Sequence, residues 1–190
     1  MIGELLTKAR SYRRFHADMP VPRDTLHALA GAVRLCPSAG NRQRVRLVIV
    51  RQPAACDALF SALRFAAYLK DWQGPAPGER PAAYLIFMTE EEADTNLAID
   101  IGIAAEAVNL TAAEMGLGCC MLRAFSPRAV GDLVGLAGWH PQLVMAIGTP
   151  AEKVRLTDVA PGGDIRYYRD TDDVHTVPKY PTEAWILKEM

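Results

Sequence analysis

The sequence is short of nearly every signature that announces a function by itself. Charge of one sign is missing: 21 basic residues stand against 22 acidic ones, a formal net charge of -1. Such a chain has no global field to draw it to nucleic acid or to an anionic membrane surface, so any anion site has to be local. Cysteine is scarce, with only Cys36, Cys56, Cys119 and Cys120, and no Cys-x-x-Cys or Cys/His spacing suits zinc. Four reduced thiols in a cytoplasmic protein are the expectation. The glycines make no complete dinucleotide fingerprint, because Gly116-Leu117-Gly118 lacks a third glycine and leads into a strand pattern, and no phosphate loop is present. Ser38 and Ser126 stand outside any nucleophile-elbow context, and His16, His27, His140 and His175 show no ligand spacing and are expected at the surface. No uninterrupted apolar run reaches bilayer length. The longest apolar region, 97–118, contains Asp100, Glu106, Asn109 and Glu114, which predicts a buried helix and no membrane span. Residues 1–14 have no apolar core of signal-peptide length, so export is not expected.

What is present is enough hydrophobic chain, half of 190 residues, to bury a full core in one domain without repeats or a linker. Helices are expected over 2–9, over 25–35 with Leu26, Leu29, Ala30 and Val33 on one face, over 53–69 with Leu59, Leu63 and Ala66, and over 93–115. Another opens at Ser126-Pro127, serine as N-cap and proline in the first turn. Strands are expected over 45–50, 83–89, 118–125 and 143–147, the second apolar throughout and therefore central. Helices alternating with short strands predict a layered α+β or α/β domain. The long helix is apolar on most sides in a chain too small to cover it, which predicts a second subunit. Residues 154–179 turn polar, with too few apolar side chains for a core of their own, and are expected as an arm lying across another surface, closed by 181–190 with Trp185 and Ile186. A Pro/Gly-rich loop over 70–81 carries Trp72, either as a lid or as an anchor to the surface.

Two stretches carry chemistry. In Pro37-Ser38-Ala39-Gly40-Asn41-Arg42-Gln43, proline ends a helix, glycine permits a positive φ, and Ser38, Asn41 and Gln43 bring hydroxyl and amide groups that both donate and accept. Held between a helix and a strand, that loop suits a ligand with many ring heteroatoms and hydroxyls, although a Pro/Ser/Gly/Asn turn without a ligand has the same composition. In Arg10-Ser11-Tyr12-Arg13-Arg14-Phe15, an extended backbone puts Arg10, Tyr12 and Arg14 on one face, and a helical one gathers Arg10, Arg13 and Arg14. Either way two guanidinium groups can converge on one phosphate, or simply be solvated.

In this order, these pieces resemble the nitroreductase family of flavin enzymes. The likeness rests on the Arg-Ser-x-Arg-x-Phe segment at 10–15 and the Pro-Ser-x-x-Asn-x-Gln loop at 37–43. It continues through Asp100-Ile101-Gly102-Ile103-Ala104-Ala105-Glu106, Gly116-Leu117-Gly118, Ile147-Gly148-Thr149-Pro150 and Val177-Pro178-Lys179. The resemblance implies one domain over 1–190 with a three-layer α+β fold, a central mixed sheet of four or five strands flanked by helices, and an arm at about 160–190 exchanged across a homodimer. It also implies FMN bound non-covalently at the dimer interface. Arg10, Ser11 and Arg13 would hold its phosphate with Lys179, Tyr12 lying in the same segment. Pro37, Ser38, Ala39 and Asn41, with Gln43, would line the ring and ribityl chain, and Met121 and Leu122 would lie along the isoalloxazine. NAD(P)H would be the transient electron donor and an electron-poor small molecule, such as a nitroaromatic or quinone, the acceptor, with no protein acid or base required. Other outcomes on the same fold are oxygen-dependent, dehalogenating or ring-cleaving FMN chemistry, or flavin binding without turnover; a cofactor-free dimer is the plainest. Two departures stand out. Ala9 occupies a position where many members have arginine, and Arg44-Val45 follows the loop where many have Pro-Trp.

Overall fold

Five α-helices and seven strands make up the computed structural model, which describes residues 1–91 and 94–190. The helices are α1 (Ile2–Lys8), α2 (Arg23–Arg34), α3 (Pro53–Ser61), α4 (Thr95–Glu114) and α5 (Pro127–Val134). The strands are β1 (Arg46–Val50), β2 (Ala83–Thr89), β3 (Gly118–Leu122), β4 (His140–Gly148), β5 (Val154–Asp158), β6 (Tyr168–Arg169) and β7 (His175–Lys179).

Local chemistry sets several of these ends. Ser126 Oγ accepts the Ala129 N–H at 3.3 Å, and α5 stops at Gly135, whose φ of 68° is left-handed. Asp94 caps α4 by accepting the Leu97 N–H at 2.7 Å; the expected start at Ala93 lies outside the described residues. Helix α3 is half as long as its periodicity predicts. Tertiary pairing takes over, as Leu63 bridges to Phe125 and the Arg64 N–H donates to the Ala124 carbonyl at 2.9 Å.

The main sheet runs β1-β2-β4-β3. All seven residues of β2 are buried, in keeping with its unbroken apolar run and its place between two neighbours. Every ladder is antiparallel, whereas a mixed sheet was expected; the parallel contribution is a single bridge, Ser11 to Cys119, on the outer edge of β3. Side chains alternate across β2 and β4 to give two cores. Leu85, Phe87 and Met145 meet α2 and α4 through Leu29, Ile101 and Val108, while Tyr84, Ile86 and Val144 meet Leu59 of α3 and Val130 of α5 on the other face. The result is the three-layer α+β arrangement expected.

The segment after β4 is more ordered than its composition predicts. Strands β5, β7 and β6 form a second sheet, β5 parallel and β6 antiparallel to β7. Backbone ladders and ion pairs, among them Arg155 with Asp170 and Arg169 with Glu152 at 2.7 Å, stand in for an apolar core, so hydrophobic periodicity gave no sign of it. No helix among the described residues is long and apolar enough to cross a membrane.

Candidate functional site

The basic segment lies across the ends of β3 and β4 because two paired glycines make room for it. Gly118 faces Gly148 across the ladder, and a Cβ on Gly118 would sit 2.7 Å from the Tyr12 ring, while one on Gly148 would sit 3.0 Å from Phe15. The Tyr12 N–H donates to the Cys119 carbonyl at 2.9 Å, and Phe15 is fully buried. This fixes the direction of the arginines between them.

Arg10 and Arg13 are placed differently. Arg10 donates through Nη2 to the Leu6 carbonyl at 2.6 Å, and its Nε is buried with no partner. With exposed Ser11, Asn109, Cys119 and Met121 it lines a recess of about 170 Å3. Glu106 shares that wall and accepts the Asn109 amide at 3.1 Å. Arg13 is buried at 9 % exposure. Its Nη1 reaches the Ser11 carbonyl at 3.1 Å and His175 Nε2 at 2.8 Å, and the guanidinium lies 4.4 Å from the centre of the Tyr167 ring. It opens on a second recess, of about 210 Å3, shared with Met121, Leu122 and Tyr167. Met121 thus stands between the two arginines, 38 % exposed on the edge strand, whereas the Leu122 side chain points into the core.

The loop at 37–43 is a strained turn. Ala39–Asn41 form a 3-10 turn, and Gly40, Asn41 and Gln43 have φ of 58°, 52° and 49°. Asparagine tolerates that region, glutamine less so, and such strain persists only where the surroundings fix it. They do: Ser38 Oγ accepts the Gln43 N–H at 3.1 Å, and Asp100 Oδ1 accepts the Ala39 N–H at 2.9 Å. Arg44 then ties the loop to the start of α4 through Asp94 at 3.1 Å, and its hydrogen bonds hold the Asp94 carboxyl below its usual range. Pro37, Ser38, Gln43 and Asp100 line a cavity of about 280 Å3 under the loop.

The two stretches do not meet within one chain. The loop is fastened to α4 at Asp100, and the Arg10 recess borders α4 at Glu106 and Asn109, roughly 9 to 13 Å further along the axis at 1.5 Å per residue. Lys179 is not beside the arginines either. It pairs with Asp158 at the far end of β7, four residues beyond His175, or roughly 13 Å along a strand. Trp72 is held against the chain's own surface between the guanidinium groups of Arg14 and Arg169, 5.9 and 5.3 Å from its ring.

Burial explains the titratable groups. It pushes His175 down to about 4, with Arg13 and Arg169 adding to the effect, so the ring is neutral at pH 7 and Nε2 accepts from Arg13. Burial also pushes Cys56 and Cys120 up to about 11 and raises Cys119 further. The adjacent Cys119 and Cys120 face opposite cores, all four thiols are free, and the three buried ones are inert as nucleophiles.

Three residues that position the site were missed as such. His175, expected at the surface, is 1 % exposed, while His16, His27 and His140 are exposed. Glu152 accepts the backbone N–H groups of Arg13 and, at 3.1 Å, of Arg14, and pairs with Arg169. Nothing in its local sequence marks it. Asp100 had a signal, a lone carboxylate within an apolar helix face, where a buried charge needs a reason.

Known proteins share this fold. The model of the nitroreductase family matches residues 6–149, and the chain belongs to that family. Its fold is similar to that of a nitroreductase family protein from Streptococcus pneumoniae TIGR4, at TM-score 0.66 and 17 % identity over 82 % of this chain and 93 % of the other. An FMN-dependent nitroreductase from Clostridium difficile R20291 aligns at TM-score 0.65 and 21 % identity over 80 % and 89 %. A nitroreductase family protein from Clostridium novyi NT gives 0.65 and 18 % over 79 % and 85 %.

Proposed function

We propose that the protein is an FMN-dependent NAD(P)H oxidoreductase that works as a cytoplasmic homodimer. The observation that carries this reading is the separation of two half-sites along α4. One end presents the Arg10 side chain, the Ser11 hydroxyl and exposed Met121; the other presents the fixed amides and hydroxyl of the 37–43 loop. Each is half of what a flat phosphorylated cofactor needs, and a second copy packed against α4 brings the two together. Helix α4 leaves Ile99 55 % and Ile103 37 % exposed on one face, and the tail at 181–190 leaves Trp185 70 % and Leu187 98 % exposed, apolar surface that a partner subunit would cover.

The donor set fits FMN. Arg10 and Ser11 would hold the phosphate, and Arg13, kept in place by His175 and Tyr167, would add charge from its side. Pro37, Ser38, Ala39, Asn41 and Gln43 of the partner copy would line the ring and ribityl chain, and the β3 backbone at Met121 and Leu122 would run beside the ring. When bound, FMN supplies hydride acceptance from NAD(P)H and electron delivery to an electron-poor acceptor such as a nitroaromatic or quinone. The protein's own work is to bind, orient and exclude water; the buried thiols and neutral His175 offer no acid or base near neutral pH.

The test is the visible spectrum of the purified protein before and after anaerobic NADH and then NADPH. Flavin bands that bleach, followed by turnover with a quinone or nitroaromatic, support the reading. A yellow protein that neither nicotinamide bleaches removes the NAD(P)H step, and a colourless protein that refuses added FMN removes the cofactor.

A further inference from the structure

The recess of about 210 Å3 at the end of β3 is lined by three arginines, Arg13, Arg64 and Arg123, and by no carboxylate among the described residues. None of the three guanidinium groups forms an ion pair among those residues, whereas Arg14, Arg44, Arg80, Arg155 and Arg169 all do. In a chain of net charge -1 this is a local excess of positive charge, and a bound anion would offset the mutual repulsion. Backbone pairing builds the cluster. Leu63 bridges to Phe125 and the Arg64 N–H donates to the Ala124 carbonyl at 2.9 Å, which sets Arg64 beside the end of the strand that carries Arg123. The side chains are tethered too. Arg64 Nη1 donates to the Leu63 carbonyl at 3.0 Å and Arg123 Nη1 to the Gln142 carbonyl, which leaves the rest of each fork at the exposed mouth. The loop that follows Arg64 is pinned at its other end, where the Tyr68 N–H meets the Tyr167 hydroxyl at 3.4 Å and the two rings lie 5.0 Å apart. Between these ties Ala66 is held at a φ of 50°, a left-handed conformation that alanine rarely adopts. Phe65 and Tyr167 supply flat apolar walls and Met121 a polarisable one.

We propose that this recess receives the electron acceptor and selects a single-ring aromatic acceptor that carries a carboxylate or sulfonate. The inference rests on the flavin reading, whose acceptor it narrows to an anion. The space exceeds the roughly 150 Å3 that takes up benzene in a protein core, so one substituted ring fits and a dinucleotide does not. The ring lies against Phe65, Tyr167 and Met121. Its anionic group meets the forks of Arg64 and Arg123, and buried Arg13 adds charge from inside. Met121 also borders the recess that holds Arg10, so the acceptor lies next to a half-site of the cofactor.

The experiment is steady-state turnover of the FMN-loaded protein with 4-nitrobenzoate and with its neutral amide, 4-nitrobenzamide, using whichever nicotinamide bleaches the flavin. Each turnover oxidises one NAD(P)H to NAD(P)+ and, with one proton, reduces the nitro group to nitroso with loss of water. The benzoate should have the higher kcat/KM, through a lower KM. Arg64→Gln and Arg123→Gln should each cut the benzoate-to-amide ratio about fivefold. Arg64→Lys, which keeps the charge, should retain more of it. Arg51→Gln, which removes an exposed cation outside the recess, should leave the ratio unchanged. Amide turnover with no preference for the benzoate, or a ratio that falls equally in Arg51→Gln, overturns the anion site and leaves the flavin reading standing. Should neither acceptor turn over, calorimetric titration with benzoate decides. Saturable binding that is lost in the Arg64→Gln/Arg123→Gln double variant supports the anion recess while the flavin reading fails, and no binding overturns both.

Discussion

Arg13 and His175, 162 positions apart, meet through Nη1 and Nε2 at 2.8 Å with the imidazole 1 % exposed. The contact joins the basic segment to the C-terminal sheet and requires a neutral ring, because a protonated one has no lone pair to offer and repels the guanidinium. With its pKa pushed down to about 4 from 6.5 by burial first and by Arg13 and Arg169 next, the folded protein stays unprotonated where the unfolded chain takes up a proton. The stabilisation is therefore complete above pH 6.5, falls as pH drops from 6.5 towards 4, and amounts to roughly 3 kcal/mol across that window. Urea unfolding at pH 7 and pH 4.5 checks it, with His175→Gln as control. The variant should be nearly flat over the window, and the same slope in both proteins would remove His175 as its source. Asp94 and Asp170, held below the carboxylate range mainly by hydrogen bonds, lose their contributions only at lower pH.

Glu152 should be the costliest single carboxylate to neutralise. Its side chain is 1 % exposed and gathers two backbone N–H groups and the Arg169 guanidinium, itself 12 % exposed. Glu152→Gln leaves that cation with only the more distant and largely exposed Asp173, at 3.5 Å, as counter-charge and weakens the two backbone contacts, so stability should fall by about 2 to 3 kcal/mol in denaturant melts. The comparison is Arg155→Ala, which breaks a pair whose arginine is 55 % exposed and should cost less than about 1 kcal/mol. Similar losses in both would refute the anchoring role of Glu152.

How much of this was legible beforehand divides by the range of the interaction. Strand β2 matched its expected span of 83–89 and α5 began at its Ser-Pro cap, because burial pattern and capping chemistry are local. The basic segment and the 37–43 loop were also visible as unusual clusters. The end of α3 was not, since the Leu63 to Phe125 bridge spans the fold. Nor were strands β5 to β7, whose stability comes from charge pairs and ladders without an apolar stripe, or the burial of His175, which depends on Tyr167, Arg13 and Arg169 arriving from elsewhere.

The two arginines of the segment should separate in their effects. Arg10 lines the recess beside Ser11, so Arg10→Ala should weaken FMN by roughly 1.5 to 3 kcal/mol in a fluorescence titration and leave the melting temperature of the flavin-free protein nearly unchanged. Arg13→Ala removes the partner of His175 and the cation on Tyr167, so it should weaken FMN and also lower the melting temperature. An Arg10→Ala protein with native flavin affinity would take Arg10 out of the phosphate site.

Mixing two defective chains tests the composite site most directly. If each flavin site takes Arg10 from one subunit and Ser38 from the other, Arg10→Ala and Ser38→Trp homodimers should both be flavin-poor. In a heterodimer of the two, one site collects both lesions, and the other pairs an intact Arg10 with an intact loop. Co-expression with distinct tags should therefore recover one FMN per mixed dimer, read by absorbance. Recovery of none would place both residues on one site within a chain, contrary to their separation along α4. The parallel variant Ile103→Asp, on the exposed face of α4, should shift the protein to monomer in sedimentation velocity and lose flavin with it; a flavin-replete monomer would contradict the shared site.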